Sequence, residues 1–283
     1  MSGKVQPSEE EIKMETEKFH SRETPKLKEI EFVHDVYNEI AQHFSQTRYK
    51  PWPIVSNFLE TRKVNSFGVD VGCGNGKYIG INKKVFILGS DYSTGLIDQA
   101  KILHERESFN DIIVADGMNL PHNDSTFDFA ISIAVIHHFA DEKRRIDAIE
   151  EILRVLKPNG QALIYCWALE QEKSRRGYHE GMEQDILVPW VLAKKTEGKK
   201  NQPKRKGKGN KERDVEGEDL VEQENKEVIV EQIKNEEKPP VKMRFYHLYK
   251  KGELSDNCIK AGGKLVREGY ERDNWWAIVE KVQ

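Results

Sequence analysis

One segment narrows the choice of fold more than any other: Phe67-Gly68-Val69-Asp70-Val71-Gly72-Cys73-Gly74-Asn75-Gly76. An apolar run ends there in glycines at alternate positions. Glycines let a backbone turn tightly after a strand and approach a ligand that any side chain would block. The GxGxG spacing is one residue shorter than the GxGxxG that seats a pyrophosphate on a helix N-terminus, which tells against a nicotinamide-dependent oxidoreductase. A zwitterionic amino-acid moiety needs room and polar partners, and Asp70 with the loop backbone offers both.

The surrounding pattern agrees with a strand–turn start. Ser66–Val71, Val85–Gly89, Ile112–Ala115, Phe127–Ala134 and Gln161–Trp167 read as strands. Gly76–Ile81, Ser93–Arg106 and Glu142–Leu156 read as the helices between them. Such alternation implies βαβ units and a mostly parallel sheet covered by helices on both faces. Leu156-Lys157-Pro158-Asn159-Gly160 is the turn that stops one helix and launches the next strand. Two late strands, joined through Asp273-Asn274, would complete the sheet antiparallel. Upstream, Phe32, Val33, Val36, Tyr37, Ile40 and Phe44 recur at helical spacing on one face.

Charge divides the chain. Charged residues make up 33% and apolar ones 37%, so part of the 283 residues is expected to stay unpacked. The net charge of -3 argues against a uniformly basic nucleic-acid coat, although separate blocks can cancel. Residues 1–27 read as a mobile arm with one helical stretch. Residues 193–241 read as a disordered insertion, with about ten basic residues followed by about ten acidic ones. Residues 28–192 and 242–283 then form a single domain. Cys73, Cys166 and Cys258 form no CxxC pair, so neither a metal cage nor a disulfide framework is expected. The compartment expected is reducing, cytoplasmic and also nuclear. The N-terminus carries no apolar signal core, and no run approaches ~18 apolar residues, so no membrane span is expected.

Ligands of open α/β sheets lie at the carboxyl ends of the strands. Gly72, Gly74 and Gly76 follow the first strand. Asp91 and Tyr92 follow the second, where a carboxylate can accept from both ribose hydroxyls. Asp116, Gly117 and Met118 follow the third, placed to take an exocyclic adenine amine and pack on the ring. This set resembles the class I S-adenosylmethionine-dependent methyltransferases over residues 66–168. The resemblance implies a Rossmann-like fold, a seven-stranded sheet and S-adenosylmethionine as cofactor.

His137 and His138 end the fourth strand, and no Asn-Pro-Pro-Tyr motif is present to hold a planar exocyclic amine. Three clusters combine aromatic and cationic side chains, which stack on unpaired bases and contact phosphates. They are Thr47–Pro53 with Arg48, Tyr49 and Trp52; Arg244–Tyr249 with Tyr246 and His247; and Glu271–Trp276 with Arg272, Asn274 and Trp275. Trp167 closes the fifth strand beside them. For Tyr37 and Trp276 a core role is the preferred reading.

Taken whole, FVHDVYNEIAQHFSQTRYKPWP, VDVGCGNGKY, GSDYS, VADGMNLP, ISIAVIHHFA, LRVLKPNGQALIYCWALEQ, RFYHLYKKGEL and ERDNWW resemble one narrower family. It is that of the eukaryotic tRNA methyltransferases that esterify the carboxymethyl group on the wobble uridine. The resemblance implies 5-carboxymethyluridine in a tRNA anticodon loop as substrate and a small zinc-binding activator as partner. The third strand, expected at the sheet edge and apolar over residues 111–115, is where that activator would pair. A carboxylate is ionised at neutral pH, so its methylation needs no general base. Arg48, His138, Arg244 or Tyr246 could orient it. Two rivals remain: a class I methyltransferase acting on a small lipid or quinone acid, and a non-catalytic adapter of the same fold.

Overall fold

The computed structural model describes residues 7–48, 50–105, 110–171, 174, 176–192 and 239–282. Pro7–Trp190 with Lys242–Gln283 make one compact unit. A second unit, Met1–Gln6 with Val191–Val241, lies almost wholly outside the described residues. The insertion read from the sequence falls there, apart from Pro239, Pro240 and Val241, which opens a strand.

Seven strands form the central sheet: β1 (Phe67–Val71), β2 (Phe86–Asp91), β3 (Asn110–Val114), β4 (Phe127–Ile133), β5 (Leu156–Trp167), β8 (Gly263–Tyr270) and β9 (Asn274–Lys281), in the order β3-β2-β1-β4-β5-β9-β8. The first five pair in parallel, and β9 pairs antiparallel with both β5 and β8. This is the mostly parallel sheet that the sequence pattern requires. A separate ribbon joins β6 (Asp185–Val191) to β7 (Val241–His247).

Period-two alternation builds a core on each face. Ala162, Ile164 and Cys166 of β5 and Ala277 and Val279 of β9 meet helix α6 (Glu142–Val155) and helix α7 (Glu253–Lys260). Leu163, Tyr165 and Trp276 point the other way, toward helix α4 (Pro53–Glu60) and helix α5 (Thr94–Leu103). Both faces are apolar because both are covered, as parallel sheets require.

The described part of the N-terminal stretch holds the helix expected of it. Ser8 caps helix α1 (Glu9–His20) in a capping box with Glu11. Phe19 at its end is buried, stacked on Phe245 at 4.9 Å and edge-on to Phe32 at 5.3 Å. One aromatic anchor, unremarkable in a polar sequence, docks the helix. Next come α2 (Pro25–Glu29), a π-helical turn (Ile30–His34) and α3 (Asp35–Thr47). The helix expected over residues 76–81 does not form. Gly76 and Gly80 both adopt left-handed φ, of 76° and 86°, so the segment coils through turns while burying Tyr78 and Ile79.

Strand order fixes where a ligand can enter. β1 is flanked by β2 on one side and β4 on the other, so the connections leaving β1 and β4 diverge and open a crevice at their carboxyl ends. The glycine loop and the His137-His138 segment both sit at that crevice.

Candidate active site

A cavity of about 740 Å³ occupies the crevice, within the range of small-molecule sites. Gly72, Cys73, Gly74 and Asn75 line it. Gly72 has φ of 78°, and a Cβ there would lie 2.3 Å from Val135 Cγ2. No other residue fits. Gly76 does not line the cavity; its carbonyl bonds His104 Nε2 at 2.8 Å, and its lack of a Cβ makes room for that ring.

Asp91, Tyr92, Asp116 and Gly117 line the cavity as the sequence suggests. Gly74 N donates to Asp91 Oδ2 and Ser93 N to Oδ1, each at 2.8 Å. Burial raises the Asp91 pKa against those two bonds, and they fix the carboxylate for a pair of ribose hydroxyls. His34, from the π turn, stacks on Tyr92 at 3.8 Å and stays neutral because burial lowers its pKa. Met118 is not in the lining; its backbone N–H instead closes an Asx turn on Asp116 Oδ1 at 2.9 Å. Asp70 lies fully buried beneath the loop rather than in the lining. Neither of its carboxylate oxygens has a hydrogen-bond partner among the described residues, and burial pushes its pKa up to about 8. A positively charged group laid on the loop would restore its charge. A backbone cradle closed to side chains, a ribose acceptor and a buried carboxyl awaiting a cation together fit S-adenosylmethionine.

Much of the remaining lining is aromatic or cationic, with Glu29 and Asp273 as acidic members. Arg48, Trp52, Trp167, Arg244, Tyr246, Arg272 and Asn274 are all present, joined by Tyr37, Lys77, Tyr165 and Arg176. Tyr49 lies outside the described residues. A chain of polar contacts runs through the buried part. Arg244 Nη1 donates to Tyr246 Oη at 2.8 Å and to Tyr37 Oη at 3.3 Å. Tyr37 Oη meets His138 Nε2 at 3.1 Å, and His138 Nδ1 meets the Phe245 carbonyl at 2.7 Å. A carbonyl only accepts, so Nδ1 carries the proton and Nε2 accepts from Tyr37. Burial drives His138 down to about 3, so the ring is neutral. Arg244 Nε has no hydrogen-bond partner among the described residues although the residue is only 4% exposed. The Trp190 ring, beneath the lining, lies 4.7 Å from the Arg244 guanidinium and 5.3 Å from that of Arg48.

Three residues expected at the substrate are elsewhere. His137 is fully buried outside the lining, and its Nδ1 accepts from Trp167 N at 3.0 Å. Of the two histidines, His138 therefore faces the cavity. His247 binds Asp185 at 2.6 Å and Glu253 at 2.7 Å, tying β6, β7 and α7 together. Trp275 donates its indole N–H to Glu170 at 2.8 Å. For His247 and Trp275 alternation along a strand turns the side chain away from the crevice, whereas His137 lies in the short turn Ile136–His138 past the end of β4. Tyr37 is the converse: its helical spacing suggests core, yet its hydroxyl stands in the polar chain. Trp190 and Arg176 lie in segments that carry no motif.

Residues 69–164 match the family model described as a methyltransferase domain. The chain is 51% identical over 276 residues to the tRNA (carboxymethyluridine(34)-5-O)-methyltransferase of Saccharomyces cerevisiae, covering 90% of this chain and 97% of that one. It is 44% identical over 253 residues to the Schizosaccharomyces pombe protein of the same name, covering 89% and 97%. The chain belongs to the tRNA (carboxymethyluridine(34)-5-O)-methyltransferase family. This methyltransferase uses S-adenosylmethionine. Its fold is similar to a methyltransferase solved in complex with the Haloferax volcanii Trm112 methyltransferase activator. The TM-score is 0.55 at 12% identity, with 89% of this chain and 98% of that one covered.

Proposed function

We propose that this enzyme methylates tRNA, esterifying the carboxymethyl group of 5-carboxymethyluridine at the wobble position as the catalytic subunit of a complex with a small zinc-binding activator. The observation that carries this reading is Arg244: a buried guanidinium facing the cavity with an unused Nε and two tyrosine hydroxyls as partners. A buried cation is costly unless an anion meets it, and guanidinium geometry matches a carboxylate.

Bound S-adenosylmethionine supplies the methyl group from a sulfonium. The protein's part is to hold a carboxylate oxygen in line with that methyl group. No general base is needed, and the neutral His138 orders Tyr37 and Tyr246 around Arg244 instead. Methyl transfer cancels two opposite charges, so a site shielded from water favours the transition state. The half-buried Trp167 ring, with the Arg176 guanidinium 4.0 Å from its centroid, supplies a stacking surface for the base. Arg48, Lys50 and Arg272 add positive charge around the cavity, suited to phosphates.

The activator reading draws on the opposite side of the sheet from β8. β3 is a sheet edge with Val114 50% exposed, and α5, packed against it, ends in the exposed Ile102 and Leu103. Unpaired backbone beside apolar side chains invites an added strand. The relative solved with its activator is in keeping with that partner.

Mass spectrometry of nucleosides from carboxymethylated tRNA, incubated with the full chain and activator, tests the proposal. A methyl ester at the wobble uridine is expected. Methylation at another nucleotide, or only of free small acids, would overturn it. Val114→Lys with Leu103→Glu should abolish co-purification of the activator.

A further inference from the structure

Lys77 directly follows the glycine loop and lines the cavity beside Gly72, Cys73, Gly74 and Asn75. Its ammonium makes no hydrogen bond or ion pair with any described residue; it lies 4.7 Å from the Tyr78 ring centroid. Burial pulls its pKa down to about 8, with Asp70 opposing and the Arg48 charge contributing. A desolvated, unpartnered ammonium marks a place where an anion belongs. The anion of the reacting substrate has its own receptor in the Arg244, Tyr37 and Tyr246 group. What the glycine loop itself receives is the amino-acid end of the cofactor, a zwitterion. Beneath the same loop, the two partnerless oxygens of Asp70 supply the complementary charge for an ammonium.

We propose that Lys77 binds the α-carboxylate of S-adenosylmethionine and makes the site selective for the intact amino acid. The inference rests on the cofactor assignment and adds a residue and a specificity to it. The Lys77–carboxylate contact is a charge-assisted hydrogen bond, so it should contribute a factor of about 10–100 in affinity.

The test compares S-adenosylmethionine with decarboxylated S-adenosylmethionine, which keeps the ammonium and lacks the carboxylate, by calorimetry on the full-length chain. Wild type should bind the intact cofactor about 10–100-fold more tightly. Lys77→Met should bind the two within about threefold of each other, and Lys77→Arg should retain the preference. Indifference of the wild type would overturn the proposal without any variant. So would a Lys77→Met protein that keeps the preference, loses affinity for both ligands equally, or loses only tRNA affinity. Binding of neither ligand by the wild type would overturn the cofactor assignment itself.

Discussion

Replacing Arg244 by methionine should separate activity from stability. Methionine keeps most of the side-chain volume and removes the charge. In the proposed complex the carboxylate takes charge-assisted hydrogen bonds from the guanidinium, at about 1.5–3 kcal/mol each. With Nη1 engaged by two tyrosines, the free Nε and its neighbour Nη2 remain for the substrate. Losing that pair should remove about 3–6 kcal/mol of transition-state stabilisation, a fall in kcat/KM of about 10²–10⁴-fold. Folding should barely respond. The variant loses two tyrosine contacts, yet it no longer desolvates a cation that has no carboxylate partner among the described residues. Tyr37 and Tyr246 hydroxyls, 3.2 Å apart, can still bond each other. The net change should stay within about 1 kcal/mol, or about 4 °C in Tm. The assay is methyl transfer to carboxymethylated tRNA, alongside a thermal melt and S-adenosylhomocysteine binding, which should be unaffected. A folded variant within threefold of wild-type kcat/KM would refute the carboxylate contact. A Tm loss beyond about 8 °C would show that the guanidinium holds the fold instead.

Gly72→Ala should abolish cofactor binding, because its Cβ meets Val135 Cγ2 at 2.3 Å; Gly72→Ala with Val135→Ala should recover part of it, as calorimetry would show, since only the strain of the positive φ then remains. The His138 pKa of about 3 lies below its unfolded value, so between pH 3 and about 6.5 the unfolded chain binds the extra proton. Stability is therefore full above about pH 6.5 and falls with acid; in urea titrations His138→Gln should reduce that slope by about 1.4 kcal/mol per pH unit between pH 6 and 4.5, and an unchanged slope would refute the buried neutral ring. Phe19→Ala should cost about 3 kcal/mol and speed tryptic cleavage at Arg22, whereas wild-type protease resistance would show that α1 is not anchored through Phe19.

The sequence by itself determined the parallel sheet and the strand ends that carry the ligand, but not all of its helices: none forms over residues 76–81, and α4 carried no signal. Those signals are local: Gly72 serves a turn that only glycine can make, Asp91 is the last residue of β2, and Asp116 lies two residues past β3. Tertiary structure decided which side chains face the cavity. Neighbours on a strand point to opposite sides, so Trp275 and His247 turn away while Tyr246 turns inward; past the end of β4, the turn aims His138 and not His137 at the site. Tyr37, His138, Tyr246 and Arg244 are separated by as many as 209 residues along the chain. Their meeting depends on how α3, the end of β4 and β7 pack, which no local pattern encodes. Burial does the rest. It sets His138 neutral and, among the described residues, leaves Lys77 and Arg244 without a hydrogen-bonded anionic partner, turning ordinary residue types into receptors.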